Sequence, residues 1–220
     1  MSYLAAFSQA EWAPICRLDA SHRAAIETHL LALDADDRYL RFGHVASDDL
    51  VRAYVRGLPF ERDEIFGIFN RHLELIGMAH LGREEGAGQA DSVEFGVSVS
   101  RHARGRGYGN LLFRRAVMHA RNEGVSVMHI HALSENKVML AIARNAGATV
   151  ERDGADSVAH LKLPPADFES QFTELLEVQQ AQANYQLKAQ HRQFTRFLQM
   201  ALAFPPLLEA QEDREAVPSC

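Results

Sequence analysis

The chain alternates between stretches where apolar residues recur every second position and stretches where they recur every third or fourth, the two periods that separate strands from helices. Glu11 to Leu18 (EWAPICRL) alternates like a strand, with Pro14 confining it to an edge or a strand start. Asp19 and Ser21 then offer N-cap oxygens to a first helix, in which Ala25, Ile26, His29, Leu30 and Leu33 share one face. Asp34 to Gly43 (DADDRYLRFG) keeps neither period and is expected to be a connecting loop or short turn, its Tyr39 and Phe42 packing on the core. Ser47-Asp48-Asp49 starts a helix that Gly57 and Pro59 end. Glu64 to Asn70 and Leu73 to Leu81 are β-rich runs joined by a tight polar turn, the mark of antiparallel neighbours. Arg83 to Asp91 reads as a solvated hairpin loop.

The run VEFGVSVSRHARGRGYGNLLFRRAVMHARNEG, from Val93 to Gly124, predicts a strand, a basic glycine-rich turn and a long helix. Val125 to Ala132 is a further strand. Ser134 is placed to cap the next helix, which stops at the C-cap glycine Gly147, and Thr149 to Arg152 and Val158 to Leu163 are short strands around a DGAD turn. Pro164-Pro165 divides residues 1–163, one globular domain, from a helical extension over 164–210 and a disordered tail over 211–220. Ala166 to Phe204 contains neither Gly nor Pro. It predicts a long helix or helical hairpin whose apolar ends (Phe168, Phe172 and Leu175; Phe194, Phe197, Leu198 and Ala201) are docked or paired and whose polar middle is exposed, spanning on the order of 60 Å if continuous.

Composition narrows the setting. At 220 residues, 47% hydrophobic and 24% charged, the chain can bury one full core, and a net charge of -6 argues against nucleic acid as the main partner. Cys16 and Cys220 form no disulfide framework, no Cys/His spacing resembles a zinc finger, and no run is apolar enough to cross a bilayer. The start has no basic n-region, so a cytoplasmic, unprocessed protein with no membrane association and no metal is expected.

The glycine turn HARGRGYGNLL points to a phosphate-bearing ligand. A Walker loop needs Lys and Ser or Thr after its last glycine, where Asn110 and Leu111 stand. A dinucleotide fingerprint beginning at Gly105 needs glycine at position 110, also occupied by Asn110. The pattern R-x-x-G-x-G is met by Arg104, Gly107 and Gly109. Glycines let backbone N–H groups approach a pyrophosphate, the helix N-terminus adds partial positive charge, and Arg101, Arg104 and Arg106 add full charges.

This segment resembles motif A of the GCN5-related N-acetyltransferases (GNAT), and SENKVMLAIARNAGA resembles their motif B helix. With RYLRFGHVASDDLVRAYV and VEFGVSVS, the chain more narrowly resembles the protein-lysine acetyltransferase domains associated with acyl-CoA synthetase-like modules, over roughly Glu11 to Leu163. The resemblance implies an α/β (α+β) fold: a mixed, largely antiparallel central sheet splayed at a cofactor cleft, with flanking helices, here followed by a C-terminal helical extension. It further implies acetyl-CoA as acyl donor, with the pantetheine arm on the backbone of Val97, Ser98 and Val99. The pyrophosphate then lies on Arg104, Gly105, Arg106, Gly107, Tyr108, Gly109 and Asn110, with Asn136 near the pantetheine end.

Acyl transfer to an amine needs a base, because a lysine-like amine has a pKa of about 10.4. Glu94, flanked by Val93, Phe95 and Val97, is one candidate, with a pKa expected to be raised by apolar company, and the resembled lysine acetyltransferases place a glutamate there. His131 on the next strand is the rival, and His129 shares its face, too few ligands for a metal. The tyrosine that many relatives use to protonate the leaving thiolate is matched by Ala143. The expected function is N-acetyl transfer from acetyl-CoA to a primary amine, a protein lysine or a small molecule. Direct attack in a ternary complex is favoured, since neither cysteine lies in the motif region. Ala143 and the terminal helix motivate the alternative of a non-catalytic acyl-CoA sensor, and that helix is also a candidate homodimer element.

Overall fold

A computed structural model describes residues 13–83 and 92–203, with side chains at 196–198 and 201–203 left out of the description. Seven strands, β1 (Ile15–Leu18), β2 (Glu64–Phe69), β3 (Leu75–Arg83), β4 (Ser92–Val99), β5 (Val127–Leu133), β6 (Thr149–Asp153) and β7 (Asp156–Lys162), form one sheet in the order β1-β2-β3-β4-β5-β7-β6. Every neighbouring pair is antiparallel except β4 and β5, which run parallel because α4 (Tyr108–Asn122) carries the chain across the sheet between them. The expected hairpin loop between β3 and β4 lies, beyond Arg83, outside the described residues, as does the tail from Gln211.

Both faces of the sheet are covered, so the strands carry apolar residues on both sides. On one face α4 and α5 (Lys137–Asn145) seal a core that includes Phe66, Phe95, Leu112, Phe113, Met128 and Ile130. On the other, α1 (Arg23–Leu31) and α3 (Asp48–Gly57) close a second core around Ile26, Leu30, Val51, Val55, Ile65 and Met78.

Three expectations are corrected. Asp34 to Gly43 is not a loop: Ala35–Phe42 forms helix α2, with the Asp34 carboxylate accepting the Asp37 N–H at 2.9 Å and Gly43 closing it in the left-handed conformation at φ 75°. None of its residues is fully buried, which is why no apolar period announces it. Ser134 does not cap α5; Asn136 does, accepting the Met139 N–H at 3.1 Å, while the Ser134 hydroxyl bonds Asp156 O and the Ser157 hydroxyl.

The third concerns the terminal segment, whose exposed middle and docked aromatic ends were expected; Phe197, Leu198 and Ala201 lie outside the described side chains. Phe168–Ala203 is one helix, α6, of 36 residues and about 54 Å. Its polar middle is what docks: Ala181 is 2% exposed, Tyr185 packs against Phe69 and His22, and Lys188 Nζ donates to Phe69 O at 3.0 Å. Phe168, Phe172 and Phe194 are 82%, 52% and 61% exposed. Ser170, Glu174, Ala181, Tyr185 and Lys188 recur at helical spacing, and this stripe lies on β1 and α4.

The fastening is ionic. Glu174 Oε1 lies 2.8 Å from Nη1 of the buried Arg115 and 2.6 Å from His119 Nδ1, both on α4, and Asn122 donates to Glu174 Oε2. Burial disfavours the carboxylate, but the bonds from His119 and Asn122 and the Arg115 charge outweigh it and hold Glu174 at about 2. A depressed carboxyl pKa stabilises the fold above the ordinary value of 4.5 and loses that contribution as pH falls through 4.5 toward 2. Glu174→Ala is expected to cost about 3 kcal/mol in urea unfolding at pH 7, because Arg115 is left buried without its partner. The difference between variant and parent should shrink as the measurement pH is lowered over that window.

Candidate functional site

The site begins where two strands part. β4 and β5 are paired only at Ser92–Val127, Val93–Met128 and Glu94–His129. Beyond Glu94 the β4 edge facing β5 has no strand bonded to it, while its other edge stays paired with β3 as far as Val99–Gly77. Backbone groups on the free edge need partners that the sheet does not supply. A cavity of about 710 Å³ opens in the gap, walled by β4, β5, the glycine turn, α2 and the start of α5.

Every site residue proposed from the sequence lines this cavity except Arg106, which is exposed. Val97 and Val99 turn their side chains to the α4-side core. Ser98 is buried and its hydroxyl donates to His29 Nε2 at 2.9 Å, so only its backbone is offered to a ligand. Burial pulls His29 down to about 4, and as a neutral ring it donates from Nδ1 to Leu75 O.

At the glycine turn, Gly105 and Gly107 adopt φ of +76° and +78°, in the region that side chains rarely enter, and open space lies where a Cβ on Gly105 would sit. Gly107 is the N-cap of α4 and gives no side-chain cap; the first intrahelical bond runs from Leu111 N to Gly107 O. The N–H groups of Tyr108, Gly109 and Asn110 thus precede the helical ladder and stand at the positive end of the helix dipole. The arrangement fits a pyrophosphate. The arginines are more occupied than their sequence implies, since Arg104 meets Asp37 at 2.6 Å and Arg101 meets Asp34 at 3.1 Å, both acids on or capping α2.

Glu94 and His131 both line the cleft and both are exposed. The apolar company expected for Glu94 is on the wrong side: Val93 and Phe95 are buried toward the α4-side core, and alternation sends Glu94 to the opposite face. His129 is turned to its neighbour on β7, with His160 Nδ1 at 2.9 Å. Asn136 lines the cavity while capping α5. Ala143 is fully buried in the α4-side core and does not touch the cleft, to which α5 presents Val138, Met139 and Ile142.

Sequence reasoning missed the wall opposite. From α2, Asp37, Leu40, Arg41 and Phe42 line the cavity. Arg41 Nη2 donates to the Tyr54 hydroxyl at 3.0 Å, the hydroxyl donates to His80 Nδ1 at 2.8 Å, and His80 Nε2 donates to Asp63 Oδ2 at 2.8 Å. Burial pushes the Tyr54 phenol up and the His80 imidazole down, so both are neutral near pH 7 and these directions are fixed. Asp63 is 4% exposed and also accepts from Arg62 Nε and the Arg83 N–H. The readable signal for α2 was its pair of caps, Asp34 and Gly43; nothing local marks three distant segments that converge only in the fold.

A family model described as the acetyltransferase (GNAT) domain matches residues 17–149, more than half of the chain. Among solved structures, the GNAT domain of S. lividans PAT superposes with a TM-score of 0.58 at 18% identity, covering 68% of this chain and 89% of that one. A Salmonella typhimurium protein solved with its cofactor acetyl-CoA gives 0.54 at 20% identity, covering 71% and 97%. A ribosomal-protein-alanine N-acetyltransferase from Brucella melitensis gives 0.54 at 17% identity, covering 68% and 99%. No curated protein matches the chain.

Replacing Gly107 by valine forces a β-branched residue to positive φ at the start of α4. Acetyl-CoA affinity, followed by calorimetry, is expected to fall at least about 100-fold, as the loss of several charge-assisted bonds at a helix N-terminus implies. Retained affinity would remove the pyrophosphate from this turn.

Proposed function

Since the chain belongs to the acetyltransferase (GNAT) family and is an acetyl-CoA-dependent acyltransferase, we propose that it transfers the acetyl group to a primary amine by direct attack, with Glu94 as base. The observation that carries this reading is the single cleft that runs from the exposed Glu94 along the free edge of β4 to the uncapped first turn of α4. Acetyl-CoA supplies the acyl group as an activated thioester. The chain's residues do the rest. The free backbone edge at Val97, Ser98 and Val99 orients the pantetheine arm, and the turn from Arg104 to Asn110 with Asn136 fixes the two ends of the donor.

The amine reaches the site protonated, and its lone pair becomes available only when a group accepts the proton. Glu94 stands at the point where β4 and β5 part, exposed to the cleft, and its carboxylate makes no hydrogen bond or ion pair among the described residues. An ionised carboxylate there takes the proton directly or through one water. His131 lies across the gap and is the reserve candidate.

The sensor alternative drew on Ala143, but that side chain is buried off the cleft, so its lack of a hydroxyl says nothing against turnover. None of the described residues of the terminal helix lines the cavity, which supports assigning acyl transfer to residues 1–163 and a separate role to 164–210. The acceptor is a protein lysine or a small-molecule amine.

Glu94→Gln is expected to lower kcat roughly 10²- to 10⁴-fold while acetyl-CoA affinity stays near the parent's. Thiol release with an amine panel measures the first quantity and calorimetry the second. Unchanged turnover passes the role to His131; acetyl-CoA binding with no amine-dependent thiol release in the parent protein defeats the acyl-transfer reading.

A further inference from the structure

The acceptor side of the cleft carries a cation that no carboxylate of the described residues answers. Arg41 lines the cavity, and no Asp or Glu oxygen among the described residues lies within 4 Å of its guanidinium. Its one hydrogen bond is to the Tyr54 hydroxyl, its Nη1 makes none, and its Nε is buried without a partner. Of the nearby acids, Asp63 is held by His80 and Arg62 and Asp37 by Arg104, while Glu94, which also faces this network, forms no ion pair with the fork.

The guanidinium is held in place. Its carbon lies 5.3 Å from the Phe42 ring centroid and 5.6 Å from that of Tyr54. Tyr54 is fixed in turn by His80 and Asp63, so a chain of three bonds locks the donor fork from behind. The strand makes room in front, because a Cβ at Gly96 would sit 2.8 Å from the guanidinium. A pre-set planar fork with free donors in a partly apolar cavity is suited to bind a carboxylate, and little side-chain entropy is left to lose.

Position decides which carboxylate. Glu94 and Gly96 lie on the same face of β4, two residues or about 7 Å apart along the strand. An amine delivered to Glu94 therefore has the Arg41 fork beside it. We propose that Arg41 receives the carboxylate of the amine acceptor, so that the acceptor is a small amine bearing its own carboxylate, of the amino-acid class, rather than a lysine side chain of a protein. An amino acid's ammonium and carboxylate span that separation with one hydrogen bond at each end. A lysine within a polypeptide brings no carboxylate with its amine. The inference rests on the acyl-transfer reading above and sharpens its acceptor.

The test uses full-length protein, acetyl-CoA, the L-amino acids, the matching amino-acid amides and a lysine-containing peptide. At least one amino acid is expected to be acetylated with a kcat/KM roughly 10- to 100-fold above that of its own amide, the range of a charge-assisted bidentate contact. Arg41→Met should collapse this ratio toward one and Arg41→Lys should reduce it, since lysine keeps the charge and loses the fork. Acetyl-CoA binding by calorimetry shows that each variant is folded. Tyr54→Phe, which loosens the fork without touching the acceptor, should raise KM for the amino acid more than it lowers kcat. Amides or the peptide acetylated as well as the acids, or a preference that survives Arg41→Met, overturns the inference. So does a protein that binds acetyl-CoA and acetylates none of the amino acids. Failure of the parent to bind acetyl-CoA is a distinct result that removes both readings.

Discussion

The site depends on one constraint, the short life of the β4–β5 pairing. A parallel pair needs a crossover, and here that crossover is α4, whose N-terminus returns to the mouth of the gap that the strands leave when they part after Glu94 and His129. One topological decision thereby creates an unpaired backbone edge, a helix terminus without a side-chain cap and a wedge-shaped space between them. Were the strands paired to their ends, the edge would be satisfied and the space closed. The fold tolerates the split because β3 holds β4 on its other side over the whole strand, and β7 does the same for β5.

Charge then ties the wall of the cleft to its floor. The acids at the start of α2 favour that helix terminus and also hold Arg101 and Arg104 of the glycine turn, so α2 and the cradle form one mechanical unit. Behind α2, the bonds through Tyr54 and His80 end on the buried Asp63 just before β2, linking the acceptor wall to the edge half of the sheet. On the far side of α4, Arg115 and His119 bind α6 through Glu174. The helix whose N-terminus borders the cleft is thus anchored by the terminal extension at its other end.

The donor half was legible in the sequence because its chemistry is local. The pattern from Arg104 to Gly109 encodes the turn, the positive φ values and the helix start within a few residues, and the strands and helices around it keep clear periods. The acceptor half was not. Helix α2 is eight residues long with no fully buried side chain, so only its caps could reveal it. Arg41, Tyr54, His80 and Asp63 come from four elements or turns, and their juxtaposition is a property of the fold. For Glu94 the strand was read correctly and its apolar company was not, since neighbours in sequence on a strand are opposites in space. For α6 the aromatic ends drew attention, yet burial followed a stripe that meets charged and polar residues of α4 and, at Tyr185, the ring of Phe69.

Gly96 ties the two halves together in a further way. A Cβ at that position would sit 2.8 Å from the guanidinium of Arg41, so a side chain on the strand is admitted only when the flexible end of Arg41 swings aside. The bare strand face at Gly96 lets the fork lie over β4, and an alanine there re-aims the fork while leaving the glycine turn untouched.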